Sequence, residues 1–220
     1  MDLIDFQGAV RVPLIGRHNL LGEVEQRVRR GGSHILYFEG EGGIGKTALL
    51  EATLDHARDE RECGDLLIGC VASDMVDMYH ADVHTIEGLV RKIVQVTDVP
   101  SFAVTQTLLK ELDIARGAGD MYVMKQKTEA MQQSFLSEFA TLAERGLLVA
   151  FDTIEVLEHE QDPFQEELGE DVPILSAGEW LFRAFLPSLA GHALVLLAGR
   201  PTLLARRFET LEAVSYTHLR

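Results

Sequence analysis

The sequence predicts an α/β domain, a three-layer sandwich with a parallel sheet between layers of helix. Two observations carry that prediction. The runs His34 to Phe38, Gly146 to Phe151 and Ala193 to Ala198 are largely apolar and alternate with stretches of helical periodicity. Strands of that kind belong to sheets covered on both faces. Between the first such run and the helical pattern after it stands a glycine-rich turn, Gly40 to Thr47, the order expected where a backbone loop feeds a helix N-terminus.

The elements follow in order. Asn19 to Arg30 is predicted as an opening helix, with Leu20, Val24 and Val28 on one face and Gly31-Gly32 as its stop. His34 to Phe38 is the first strand. Thr47 to Arg61 follows as a helix with apolar positions at Ala48, Leu49, Ala52 and Leu54. Asp65 to Val71 is the candidate second strand. A mostly helical region from Thr85 to Arg145 breaks near Pro100 and at Gly117-Ala118-Gly119. Gly146 to Phe151 is the third strand and ends at Asp152. A helix is expected over Ala177 to Leu189, and Ala193 to Ala198 is the fourth strand, stopped by Gly199-Arg200-Pro201.

The turn Gly40-Glu41-Gly42-Gly43-Ile44-Gly45-Lys46-Thr47 fits G-x-x-x-x-G-K-[ST]. Its glycines let several N–H groups converge on phosphate oxygens, and the helix that follows, with Ala48 in its first turn, turns its positive end to the same anion. Lys46 is placed to reach the β/γ-phosphates, and the Thr47 hydroxyl to ligate Mg²⁺. A nucleoside triphosphate is therefore the expected ligand. Parallel α/β sheets collect ligands beyond the strands' C-terminal ends, and Gly40, Asp152 and Arg200 each fall just past such an end. Asp152 has the form of a metal-holding aspartate, a carboxylate emerging at the rim of a buried strand. Glu155 is the next acid and the candidate to polarise an attacking water.

Composition bounds the rest. With 220 residues in 24.4 kDa, the chain suits one medium domain. A formal charge of −15 argues against a nucleic-acid groove on this surface. Nine carboxylates and no Lys or Arg fall between Asp152 and Asp171, the pattern of a solvated segment beside the site. Cys63 and Cys70 make neither a disulfide framework nor a zinc spacing. No apolar run approaches the roughly 18 residues of a membrane span, and Met1 to Asp5 does not open a signal peptide. A soluble cytoplasmic protein is the expectation.

Taken together, these landmarks resemble the STAND/AAA-related group of P-loop ATPases, close to the Orc1-like AAA ATPase type with its NACHT and NB-ARC relatives. Leu14-Ile15-Gly16-Arg17 resembles the motif that lies near the adenine in that group. Gly40 to Thr47 corresponds to Walker A, Leu147 to Glu155 to Walker B, and Leu196 to Arg200 to the sensor 1 strand. The resemblance implies ATP with Mg²⁺, a strand order of 5-1-4-3-2, and a switch domain that self-associates or answers to regulatory domains outside this segment. It implies that Gly16 and Arg17 bind the nucleotide and that Lys46, Glu155 and Arg200 serve catalysis, with Arg200 sensing the γ-phosphate. Many relatives carry consecutive acids in Walker B, whereas here Thr153 follows Asp152.

Several features are assigned no special chemistry. His80 and His84 lack the glutamate of a zinc-protease helix and are expected at the surface. Met121, Met124 and Met131 are expected as packing residues. Trp180, Leu181, Phe182 and Phe185 form an aromatic face expected to cover the sheet. Val214 to Arg220 resembles a translated adapter-like tail, which leaves residues 1–213 as the ATPase domain and the fifth strand, begun over Phe208 to Val214, incomplete. Little hydrolysis is expected from such a fragment alone. A nucleotide-stabilised scaffold without turnover and a P-loop small-molecule kinase are the alternatives.

Overall fold

The computed structural model describes residues 32–63, 71–97, 99–158, 176–189 and 191–200, with the backbone of 214–218. The opening helix, Gly16, Arg17, Cys70 and most of the acidic stretch lie outside the described residues.

His34–Glu39 forms strand β1, a β-branched and aromatic run that is buried from Ile35 onward. Helix α1, Lys46–Cys63, follows the glycine turn. Leu49, Leu50 and Leu54 lie inside against Leu36, Phe38, Leu148 and Leu196. Burying each leucine contributes about 2 kcal/mol, so packing on the sheet holds this helix more than its own propensity does.

Strand β2 is Val71–Asp77. Of the strand expected over Asp65 to Val71, only Val71 falls within the described residues. Among those residues β2 occupies an edge of the sheet, where only one ladder must be satisfied and polar residues are tolerated. Its register against the next strand shifts between Ala72 and Met75.

The helical region resolves into α2 (Ile86–Val96), α3 (Ala103–Ala118) and α4 (Met121–Ala143), with a 3-10 turn over Val99–Phe102. Its breaks fall at Pro100 and the Gly119 region, as expected. Gly119 ends α3 in the left-handed conformation at φ 68°, and the Asp120 carboxylate then caps α4 by accepting from Val123 N–H. Thr85 caps α2 through Gly88 N–H, and a Cβ at Gly88 would sit 1.6 Å from the Asp82 carbonyl oxygen. Only glycine fits there.

Leu147–Asp152 is β3 and Ala193–Gly199 is β4, both buried throughout. Between them a short helix α5, Ala177–Trp180, widens into a π turn over Leu181–Phe185 and tightens to a 3-10 turn over Leu186–Ser188. The expected continuous helix is thus irregular. Its aromatic face does cover the sheet: Trp180 stacks on Phe185 at 5.8 Å, and Phe185 meets Phe139 edge-on at 4.8 Å and Phe151 at 6.2 Å.

All strands pair in parallel, in the order β2-β3-β4-β1-β5. This is the expected 5-1-4-3-2 order read from the other edge. The strand labelled β5 is Val214–His218, paired with β1 and lying within the stretch the sequence sets aside as a tail. Met131 is buried, but Met121 is exposed and Met124 half-buried. Met121 sits at the tip of the α3–α4 hairpin, where no layer covers it, so it is not a packing residue. His80 is exposed, whereas half-buried His84 bonds the Met78 carbonyl at 2.8 Å. Among the described residues no helix is long and apolar enough to cross a membrane.

Candidate functional site

Parallel pairing places the C-terminal ends of β1, β3 and β4 on one edge of the sheet. Glu39 pairs with Gly199, and Gly40 N–H donates to the Gly199 carbonyl at 3.2 Å. Phe151 pairs with Leu197, so Asp152 emerges at the same rim. The three turns that the sequence marks therefore open side by side.

The loop's conformation depends on its glycines. Gly43 and Gly45 have φ of 80° and 85°, a region side chains rarely adopt. Turns of this kind aim successive N–H groups into a common concavity suited to anions. The Lys46 ammonium arches back across the loop and donates to the carbonyls of Gly40 (2.7 Å) and Glu41 (2.9 Å). Glu41, Gly42 and Gly43 are exposed, Ile44, Gly45 and Ala48 half-buried. The Arg200 guanidinium lies over the loop: a Cβ added at Gly42 would come within 3.1 Å of its Nη2.

Asp152 is only 5% exposed. Its Oδ2 accepts from the Thr47 hydroxyl at 2.5 Å, and its Oδ1 from Thr153 N–H at 2.8 Å. Burial pushes the carboxyl above the ordinary aspartate range; those two hydrogen bonds oppose the shift, and the charges of Asp77 and Glu155 add to it. Asp77 is its register partner on β2.

Thr153 takes a positive φ of 59°, a strain of about 1–2 kcal/mol for a residue with a side chain. The reversal leads into a 3-10 turn, Ile154–Glu158, whose Ile154 and Leu157 enter the core. Glu155 is thereby carried under the end of β4. A Cβ at Gly199 would meet Glu155 Oε2 at 2.8 Å, and Glu155 Oε1 stands 3.7 Å from Arg200 Nε. Oε2 is buried and has no hydrogen-bond partner among the described residues.

Two contact groups result, Thr47 with Asp152 and Glu155 with Arg200, joined by the loop beneath Arg200. Three residues of this neighbourhood escape sequence reasoning. Tyr37 donates its hydroxyl to the Arg200 carbonyl at 2.8 Å; the available signal is a polar-tipped ring inside an otherwise apolar strand. Asp77 ends β2 as Asp152 ends β3, a parallel visible only in the pairing of the two strands. Nothing in the sequence announces the backbone reversal at Thr153.

Thr47 and Asp152 offer hard oxygen donors from two adjacent turns. Among the described residues no group of three or more His, Cys, Asp or Glu side chains forms a metal cage. That set fits an ion such as Mg²⁺, which takes one or two protein oxygens and completes its shell from water and phosphate.

No protein-family model and no curated protein matches this chain. Solved structures share its fold, two of them as follows. The Aeropyrum pernix ORC2 protein, in ADPNP–ADP complexes, is 14% identical with a TM-score of 0.50, covering 94% of this chain and 48% of its own. A structure of Drosophila ORC bound to DNA is 12% identical with a TM-score of 0.52, covering 97% and 45%. The chain thus spans about half the length of the structures it matches. Identity this low speaks to the fold alone, a three-layer α/β sandwich of P-loop NTPase-like topology.

Proposed function

We propose that this chain is the ATP-binding and ATP-hydrolysing switch domain of a larger protein of the STAND/AAA-related group. The phosphates lie on Gly40 to Thr47, with Lys46 turning from the loop carbonyls to the β/γ-phosphates. Thr47 would ligate Mg²⁺, with help from Asp152. Mg²⁺ supplies charge neutralisation on the phosphates when bound. Glu155 orients the attacking water, and Arg200 bridges γ-phosphate oxygens as a planar guanidinium does. Gly16 and Arg17 contribute to the adenine side. Catalysis on this reading is positioning and charge stabilisation.

The observation that carries the reading is the Thr47–Asp152 hydrogen bond. It joins the candidate Walker A and Walker B aspartate within the reach of one metal ion. Self-association and coupling to regulatory domains belong to the same proposal, as does a cytoplasmic location.

The test compares the larger protein that carries this domain with its Glu155→Gln variant. Both should bind ATP in the presence of Mg²⁺, while single-turnover phosphate release falls by about 100-fold in the variant. Binding by neither protein would reject the proposal. Binding by both with no phosphate release from either would favour the scaffold alternative.

A further inference from the structure

We propose that Tyr37 is a positioning residue for Arg200 and sets how strongly the site prefers a nucleoside triphosphate over a diphosphate. The inference rests on the reading of Arg200 as the γ-phosphate ligand.

Tyr37 lies within β1 and is fully buried in the core shared with β3, β4 and helices α2 and α4. Its register partner on β4 is Leu197. The hydroxyl nevertheless reaches past that partner to the carbonyl of Arg200, the first residue beyond the strand, at 2.8 Å. It passes Gly199, where an added Cβ would stand 3.3 Å from the phenol oxygen. The same missing side chain admits Glu155 Oε2. Gly199 is therefore the opening through which both groups approach the end of β4.

The Arg200 side chain is 64% exposed, and its ion pair with Glu155 is 3.7 Å long. A pair of that length and exposure constrains a guanidinium weakly. A buried phenol bonded to the adjacent backbone faces little competition from water. The preceding carbonyl, of Gly199, is held by Gly40 N–H at 3.2 Å. The main chain that launches Arg200 is thus tied to β1 and to the first glycine of the phosphate loop. From that anchored point its guanidinium lies over Gly42. Loosening that launch point weakens the contact made only with a third phosphate and leaves the contacts shared by ADP.

Calorimetric titration of the 220-residue chain with Mg·ATPγS and with Mg·ADP provides the test. The proteins are the wild type, Tyr37→Phe, Arg200→Gln and the double variant. The wild type should prefer the triphosphate by about tenfold, as a charge-assisted phosphate contact allows. Arg200→Gln should abolish the preference. Tyr37→Phe, which keeps the ring and its packing, should remove most of it with ADP affinity unchanged, and the double variant should match Arg200→Gln. A Tyr37→Phe protein with a lower thermal midpoint but the wild-type preference would mark a packing hydrogen bond only and overturn the proposal, leaving the nucleotide reading intact. Equal wild-type affinity for both nucleotides would overturn the role of Arg200 and this inference together. A wild type that binds neither nucleotide would overturn the functional reading itself.

Discussion

Thr47 and Asp152 stand 105 positions apart in the chain and share a 2.5 Å hydrogen bond, the hydroxyl donating to Oδ2. An O–H···O⁻ bond of that length is of the charge-assisted kind. It ties the first turn of α1 to the last residue of β3.

Asp152 should favour function at the expense of stability. Burial raises its carboxyl above the ordinary aspartate value, so the fold binds its proton more tightly than the unfolded chain does. The corresponding stabilisation is full below the unfolded value and is lost as pH rises through the folded one. Asp152→Asn removes the buried charge while retaining hydrogen-bonding capacity. Its thermal midpoint should exceed the wild type's at neutral pH, and the gap should close as pH falls towards about 4. Scanning fluorimetry across that range checks the sign. Mg²⁺-dependent nucleotide binding should fall in the same variant.

Lys46 offers the opposite separation. Its ammonium bonds only the rim carbonyls of Gly40 and Glu41 among the contacts described above. Lys46→Ala should therefore cost less than about 1 kcal/mol of stability while weakening ATP binding by about 100-fold or more, through lost phosphate contact. Parallel urea unfolding and nucleotide titration measure both. Unchanged affinity would separate Lys46 from the phosphates.

Two glycines of the site should respond differently to a single methyl group. At Gly199 the added carbon meets Glu155 Oε2 and Ile154 Cγ1, each at 2.8 Å, and Ile154 is fully buried. Gly199→Ala should destabilise by about 1–3 kcal/mol, the cost of overpacking. At Gly42 the nearest atom is the end of the exposed Arg200 side chain, 3.1 Å away, which can swing aside. Gly42→Ala should shift unfolding by less than about 0.5 kcal/mol. Equal effects would mean that the end of β4 repacks freely.

Glu87 holds α2 to α3. It accepts from Arg91 Nε at 3.1 Å and Nη2 at 2.8 Å, and also from Arg116. Burial on its own would raise the carboxyl, but hydrogen bonds and charge from Arg116 and Arg91 hold it below the ordinary glutamate range. Its stabilisation is present above the unfolded value and is lost as pH falls through the depressed one. Glu87→Gln should destabilise by about 1 kcal/mol at neutral pH, less in high salt because both arginines stay partly in water. The difference should vanish in acid, as chemical unfolding at several pH values would reveal.

What was legible in advance follows from locality. The glycine loop is a contiguous pattern, and β1, β3 and β4 are central strands whose two buried faces make continuous apolar runs. Edge strand β2 has no such signature, since Ser73, Asp74 and Asp77 interrupt it. The helix after Ser176 has helical periodicity, but periodicity does not distinguish an α turn from the π turn over Leu181–Phe185 that seats Trp180 and Phe185 against the sheet.

By itself the sequence determined the glycine-rich loop, the alternation of strands and helices, and the carboxylate and arginine at two strand ends. These depend on neighbours within a few residues. Only the tertiary structure decided that Thr47 bonds Asp152, that the reversal at Thr153 carries Glu155 to Arg200, and that Tyr37 anchors the Arg200 backbone. Those contacts join segments more than 100 positions apart in two of the pairs, and strand register and burial, both products of packing, set which atoms meet and how Asp152 titrates.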